Sequence, residues 1–381
     1  MRKIWQKHSE PEGVAKLKFL IKQGIKLISQ YVFLPVLYFL FCVQKVDKDL
    51  VLFADAHHDE LPDAMKEIYR AVADKNKTIH LHCLDYGKAS MFQVLGAMVR
   101  FTREYSKASV VFICDYYLPA NSCRKRPQTQ LIELWHACGI LKKFGYDAED
   151  DIPSFYKGKP LKNVTMTTVS APCCVPIYAN AMGLDEKNII PTGISRTDRY
   201  FTDVFNERCR NQFYQQYPQA MGKKILIWAP TFRGNAGMPS VEGVEDILTL
   251  EEQLGEDWFV IRKFHPHMEE KVEKSNCSIL TEELLPVCDV LITDYSTIMY
   301  DYMFYGKPLI LFAPDLDTYV KRRGFYLDYK EIPAPVIRDS SKLAEAVLHA
   351  YVNRQEYDAF IHKYLIACDG HATERIMNLV F

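Results

Sequence analysis

Apolar and polar positions along this chain fall into blocks, and the blocks alternate between two periods. From Asp49 onward, short β-branched runs are separated by stretches with apolar residues three and four apart. Leu50–Phe53, Thr78–Cys83, Ser109–Cys114, Gln130–Trp135, Asn163–Val169 and Ile189–Pro191 read as strands. Asp59–Lys75, Ser90–Tyr105 and Cys173–Met182 read as the helices between them. After a break near Arg199–Phe205 a second series begins. Its strands are Lys224–Trp228, Trp258–Arg262, Ser278–Leu280, Val290–Thr293 and Pro308–Phe312. Its helices are Val244–Leu254, Glu282–Cys288, Leu343–Arg354 and Ala372–Val380. The expectation is two successive α/β units, each with a parallel sheet covered on both faces. Ligands then belong at the carboxyl ends of the strands, where the sheet order switches.

Residues 1–45 have a different pattern. Val14, Leu17, Leu20, Ile21, Ile25 and Ile28 recur at helical spacing with lysines between them, and an apolar run of 13 residues, Tyr31–Val43, follows. That run falls short of the ~20 residues of a spanning helix and contains Pro35. A basic amphipathic helix followed by an aromatic apolar segment predicts a chain lying in the inner membrane surface. Packing against the protein's own core is the competing reading. The domain expectation is therefore a membrane-associating segment at 1–45 and α/β units at 46–200 and 201–365. A terminal helical stretch, 366–381, would follow and cross back to the first unit.

Composition narrows the function. A formal net charge of −1 over 381 residues offers no basic excess for a nucleic-acid backbone. The eleven cysteines are scattered without a C-x-x-C spacing. That pattern points to reduced thiols and a cytosolic setting rather than disulfides or zinc.

Polar residues gather immediately after strands. Asp115 follows one strand, His136 another, Pro230, Thr231 and Arg233 a third, and His265 a fourth; Asp294, Ser296 and Thr297 follow Thr293. Histidine titrates near neutrality and can take a proton there. The stretch from Val290 to Asp301 reads as strand, polar turn and helix start. Such a turn presents backbone N–H groups to phosphate, with helix capping by Ser296 as the plain alternative. Asp301 would accept from a sugar hydroxyl. No P-loop, no G-x-S-x-G and no dinucleotide fingerprint is present. His57-His58-Asp59 and His265-Pro266-His267 lack the spacing of metal ligands, so no metal is expected.

Several blocks together resemble the CDP-glycerol glycerophosphotransferase family, the teichoic acid primases and polymerases. They are Leu134-Trp-His-Ala-Cys-Gly-Ile-Leu-Lys-Lys-Phe-Gly145, Gly193-Ile-Ser-Arg-Thr-Asp198, Ala229-Pro-Thr-Phe-Arg233, Phe264-His-Pro266, Asp289-Val-Leu-Ile-Thr-Asp-Tyr-Ser-Thr297 with Asp301, and Asp369-Gly-His-Ala372. Two positions depart from the family pattern. Ser195 stands where the family has Pro, and Thr297 where it has the second Ser of a pair. In length and layout the chain is similar to the single-module primases.

The resemblance implies a GT-B-like pair of Rossmann-like domains, with an acceptor domain first and a CDP-glycerol-binding domain second. It implies His136 and His265 as catalytic; Asp115, by its place at a strand end of the first unit, is a rival base. It also implies donor contacts from His136, Arg196, Pro230, Thr231, Lys263, Phe264, Ser296, Thr297 and Asp301, and Arg233, close behind Thr231 in the sequence, is taken with them. The implied partners are CDP-glycerol and an undecaprenyl-diphosphate-linked saccharide, met at the cytoplasmic face of the cell membrane by a peripheral protein. Neither cofactor nor nucleic acid is expected, and homo-oligomerisation is left open. CDP-ribitol as donor, a nucleotide-sugar glycosyltransferase and a non-catalytic lipid-saccharide binder are the alternatives.

Overall fold

The computed structural model of the chain describes residues 23–148, 151–152, 160–235, 238–264 and 274–381. It divides into two units, each built on a parallel sheet. The first comprises 1–137, 144–196 and 371–381, and the second 138–143 and 197–370.

The first unit opens with helix α1, Gln23–Phe41. Apolar residues are dense enough for the helix to run through Pro35. A π-turn at Ser29–Phe33 precedes that proline, and the Leu34 N–H reaches back to Ser29 O. The wider turn absorbs the hydrogen bond that proline cannot donate. Among the described residues the apolar helix covers 19 residues rather than the 13-residue run of the sequence, long and apolar enough by length and composition to cross a membrane. Leu34 and Tyr38 are buried, with the Tyr38 ring 5.2 Å from Tyr105. Ile28, Val32, Val36, Phe39 and Leu40 are exposed. The positions Val14, Leu17, Leu20 and Ile21 of the expected amphipathic helix lie outside the described residues.

The sheet is ordered β2-β1-β3-β4-β5-β6, from Asp47–Asp55 (β1), Thr78–Cys83 (β2), Ala108–Ile113 (β3), Gln130–Glu133 (β4), Met166–Thr168 (β5) and Ile189–Ile190 (β6). Phe53 on β1, Phe112 on β3 and Ile132 on β4 have no exposed surface and share a core with Met65, Ile68 and Val72 of helix α2, Asp63–Ala73. Ile376, Met377 and Val380 of the C-terminal helix Ala372–Val380 join the same core. Each such side chain contributes roughly 1.5–3 kcal/mol on burial. Helix α3, Met91–Tyr105, starts at a capping box in which Ser90 and Gln93 bond each other's backbone. Parallel register sets Asp55 opposite Cys83 and Ile113 opposite Glu133, so the carboxyl ends of β1 to β4 share one edge.

The second unit has a sheet of order β10-β7-β11-β12-β13, all parallel. Its strands are Lys224–Ala229 (β7), Trp258–Arg262 (β10), Val290–Thr293 (β11), Leu309–Phe312 (β12) and Val336–Ile337 (β13). A hairpin, Arg233–Asn235 (β8) with Met238–Ser240 (β9), follows β7. Leu226, Trp228, Val260, Ile292 and Ile310 meet Ile247, Leu250 and Leu254 of the helix Val244–Leu254. Thr293 pairs with Ala229 and with Leu311, which again aligns three strand ends on one edge.

Three expected elements differ. Ser278–Leu280 is not a strand, because the Ser278 amide donates to the Tyr217 hydroxyl at 3.0 Å instead of to a neighbouring strand. The expected helix Glu282–Cys288 is a single turn, Thr281–Leu284. Leu343–Arg354 ends at Leu348, and a separate helix, Arg354–Tyr364, starts where Asn353 Oδ1 caps the Glu356 amide.

Candidate active site

At the carboxyl edge of the first sheet, three strand ends carry acids and imidazoles. Asp55 closes β1 and is 1 % exposed. Its Oδ1 accepts the backbone N–H groups of His57 and His58, at 2.8 and 2.7 Å, and lies 2.9 Å from His58 Nδ1. That hydrogen bond raises the His58 pKa against the effect of burial, whereas burial lowers that of His57. Asp115 follows β3 in the left-handed region, at φ 64°. Its amide donates to Glu133 Oε1 at 2.8 Å. Its own Oδ2 stands 3.8 Å from His136 Nδ1. Burial pushes the Asp115 pKa up, but the imidazoles of His136, His57 and His58 outweigh it and hold the carboxyl below its ordinary range.

His136 is exposed, and its ring lies against Trp135. Arg196 is 8 % exposed and donates from Nε to the His136 carbonyl at 2.6 Å. The structure therefore brings three expected residues together: Asp115 and Arg196 flank His136, one at its ring and one at its backbone. Directly after Ala137 the chain leaves this unit.

The edge of the second sheet is organised by a cation. Arg233 donates from Nε and Nη2 to both oxygens of Asp315, at 2.7 and 2.8 Å, and from Nη1 to Asp294 at 2.9 Å and to the Thr231 carbonyl. Its guanidinium also lies 4.8 Å from the Tyr295 ring centre and 5.0 Å from that of Tyr319. Arg233 was expected to contact a ligand. The structure commits it to tying together the segments after β7, β11 and β12. Asp294 Oδ1 in turn accepts the Thr231 amide at 2.7 Å, and Tyr329 donates to the Asp294 carbonyl.

The remaining expected donor contacts separate into two groups. Ser296 and Thr297 are half-buried on the turn before the short helix Ile298–Met303, and Pro230 is half-buried after β7. The backbone N–H groups of Ser296 and Thr297 have no acceptor among the described residues. Ser296 Oγ accepts from the Ile298 amide at 3.4 Å, but the N-cap position falls on Thr297, which makes no side-chain cap bond, so Ser296 sits one residue before the cap expected of it. Thr231 Oγ1 is buried and has no partner among the described residues. Lys263, Phe264 and Asp301, by contrast, are turned inward. Lys263 Nζ donates to the Cys277 carbonyl at 2.9 Å, the Phe264 ring packs on Trp228, and Asp301, 1 % exposed, accepts from Tyr200 at 3.4 Å. His265 lies outside the described residues.

Two residues of this site had no sequence signal beyond their position, Asp55 and Glu133. Asp55 is a single polar residue closing an apolar run, and Glu133 a single polar residue inside one, with Leu134 and Trp135 after it. Among the described residues no cluster of His, Cys, Asp and Glu is arranged to hold a metal ion, and none of the eleven cysteines is in a disulfide.

Comparison with known proteins now adds to this geometry. The family described as CDP-Glycerol:Poly(glycerophosphate) glycerophosphotransferase matches residues 36–381. The teichoic acid ribitol-phosphate primase of Bacillus spizizenii is 30 % identical over 355 residues, 88 % of this chain and 91 % of that protein. The teichoic acid glycerol-phosphate primase of Bacillus subtilis is 26 % identical over 289 residues, 72 % and 73 % of the two chains. Among solved structures, the wall teichoic acid polymerase TagF superposes with a TM-score of 0.73 at 19 % identity, over 97 % of this chain and 98 % of that one. The UDP-GlcNAc 2-epimerase of Methanocaldococcus jannaschii follows at 0.53 and 13 %, over 87 % and 99 %. At these identities the two structures speak for the fold.

Proposed function

The chain belongs to the CDP-glycerol:poly(glycerophosphate) glycerophosphotransferase family, and on that premise we propose that it transfers glycerol phosphate from CDP-glycerol to a hydroxyl of an undecaprenyl-diphosphate-linked saccharide, releasing CMP. The observation that carries this reading is the exposed His136 imidazole with Asp115 at its Nδ1 and Arg196 on its backbone carbonyl. Asp115 favours the tautomer with the proton on Nδ1, which leaves Nε2 as a base. That assignment makes His136 the base and Asp115 its orienting partner.

In the reaction the acceptor oxygen attacks the β-phosphorus and its proton passes to His136 Nε2. The bond from that phosphorus to the bridging oxygen breaks, and the electron pair leaves with CMP. Such displacements need positioning and charge stabilisation more than covalent catalysis. The free N–H groups of Ser296 and Thr297 and the hydroxyl of Thr231 fit the role of diphosphate donors. Arg233 holds the three segments that present them. His265 is assigned to the phosphate side by resemblance. The same reading places the two sheets in the GT-B class, supported by the likeness to TagF over nearly the whole chain.

The reading includes attachment to the inner face of the cell membrane. The support is α1, docked through Leu34 and Tyr38 and apolar on its exposed side. A helix docked along one side suits a position in the interface plane. A second donor, CDP-ribitol, is favoured by one observation: identity to the ribitol-phosphate primase is 30 % over 88 % of the chain, against 26 % over 72 % for the glycerol-phosphate primase.

Mass spectrometry of the product formed from each CDP-polyol with a lipid-linked disaccharide reads donor, acceptor and unit number together. A mass increase of one polyol phosphate with stoichiometric CMP is expected. Release of CMP without an acceptor product overturns the transfer reading. Full turnover by His136→Ala removes the imidazole from its role.

A further inference from the structure

Glu133 is the most deeply buried carboxyl at the edge of the first sheet, and the reaction as described does not use it. It closes β4 with no exposed surface. Among the described residues its Oε1 accepts one hydrogen bond, from the Asp115 amide at 2.8 Å, and its Oε2 has no partner. Asp115 is, among the described residues, one of two non-glycine residues at positive φ, the other being Asn76 in a turn after α2. A residue held in the left-handed region stores about 1–3 kcal/mol and persists only where its surroundings hold it. The β3–β4 ladder ends just before this point, where the Leu134 amide donates to the Ile113 carbonyl at 2.8 Å. The next amide of interest, that of Asp115, is held by the Glu133 side chain.

We propose that Glu133 is a positioning residue: as a neutral acid it grips the Asp115 amide, fixes the left-handed turn, and thereby keeps the Asp115 carboxylate opposite His136 Nδ1. The inference rests on the reading of His136 as base. Two features require the neutral form. The carboxyl has a single N–H donor, which is far too little for a buried charge. The charged groups that act on it are of the same sign, Asp115 after β3 and Asp55 at the end of β1; the neighbouring Cys114, just past β3, is a buried neutral thiol, and Arg196 after β6 acts on that thiol. Burial first, and then Asp115, push the Glu133 carboxyl well above the ordinary range. The proton sits on Oε2, since Oε1 is engaged as acceptor. Because the acceptor function needs no charge, an amide can perform it.

The test compares Glu133→Gln and Glu133→Met in the full-length protein. Three measurements are made: kcat and KM with the CDP-polyol that the wild type turns over, the pH profile of kcat/KM, and the NMR titration of the His136 imidazole. Melting temperatures control for folding. E133Q keeps an acceptor at the same place, so it retains kcat within about twofold, with profile and His136 midpoint unchanged. E133M fills the space without accepting, so Asp115 drifts from His136. Loss of that alignment lowers kcat by roughly tenfold or more at a KM within about twofold. It also lowers the His136 midpoint, because a nearby carboxylate favours the imidazolium.

A purely structural role would move the melting temperature and leave the His136 midpoint alone. Loss of activity in E133Q overturns the proposal, as does an E133M that keeps both kcat and midpoint. If E133M fails to fold, the E133Q profile decides, supporting the proposal if it superimposes on the wild type and overturning it if it diverges. If the wild type turns over neither donor, the reading of function fails and the NMR titration still tests the Glu133–Asp115–His136 linkage.

Discussion

Arg233 holds both carboxylate oxygens of Asp315, at 2.7 and 2.8 Å, with its guanidinium 11 % exposed. This fork-to-fork pair, together with Asp294, joins three strand ends that are far apart in sequence. Removing the arginine leaves Asp294, 4 % exposed at its side chain, without its counter-charge. Breaking a buried pair from one side costs about 3–5 kcal/mol. Arg233→Ala is expected to lose that much in denaturant unfolding. Arg233→Lys is expected to fall between, because a lysine ammonium cannot make the bidentate contact. An alanine variant as stable as wild type would show that the cluster does not hold the edge together.

The same pair sets an acid limit. Burial raises the Asp315 pKa, but hydrogen bonding and charge from Arg233 more than offset it, so the folded value lies below the ordinary one. The unfolded value is about 3.9. The pair therefore contributes fully above that value, and the contribution is lost as pH falls through the folded pKa. Unfolding midpoints measured from about pH 5 down to pH 2 should fall more steeply for wild type than for Asp315→Asn. Parallel slopes would remove Asp315 as a source of acid sensitivity.

What the sequence conveyed and what it did not can be traced to particular residues. Ile225–Trp228, Trp258–Ile261 and Val290–Ile292 are continuous apolar runs, and strands occupy them. Ile279 is buried like a strand residue, but its neighbour Ser278 gives its amide to a tyrosine hydroxyl, a tertiary contact that no local pattern encodes. The helix Asp203–Gln216 is not legible in the sequence because its buried face is a single narrow stripe of Phe205, Cys209 and Phe213, while Val204 is apolar yet exposed. At the site, His136, Arg196 and Ser296–Thr297 were legible because their types imply chemistry after a strand. The engagement of Arg233 was not, since its partners lie 61 and 82 residues away.

Gly145 has φ +59°, and a Cβ built there would lie 2.0 Å from the Ala181 carbonyl oxygen. Backbone cannot swing aside as a side-chain tip can. Gly222 supplies the contrast, at φ +77° with nothing within 4 Å. Gly222→Ala carries only the left-handed strain, about 1 kcal/mol. Gly145→Ala adds the clash and is expected to cost several times more, among the diagnostic losses above about 4 kcal/mol. Thermal unfolding of the two variants separates the contributions. Equal losses would mean that the Ala181 segment yields.

Thr231 offers a test in which stability and binding move in opposite directions. Its Oγ1 is buried, without a partner, after β7 on the edge where the Ser296 and Thr297 amides are also free. An unpaired buried hydroxyl costs about 1–3 kcal/mol, and replacing it by a methyl group of the same shape is neutral or stabilising. Thr231→Val is therefore expected to melt at or above the wild-type temperature without ligand. If the hydroxyl is the diphosphate donor assigned to it, the variant should also show a KM for the CDP-polyol raised roughly tenfold, the worth of one hydrogen bond to a charged group. CDP-polyol should then raise its melting temperature less than it raises that of wild type. A variant stabilised in the free form with an unchanged KM would leave the Thr231 hydroxyl as a packing defect and move the diphosphate away from β7.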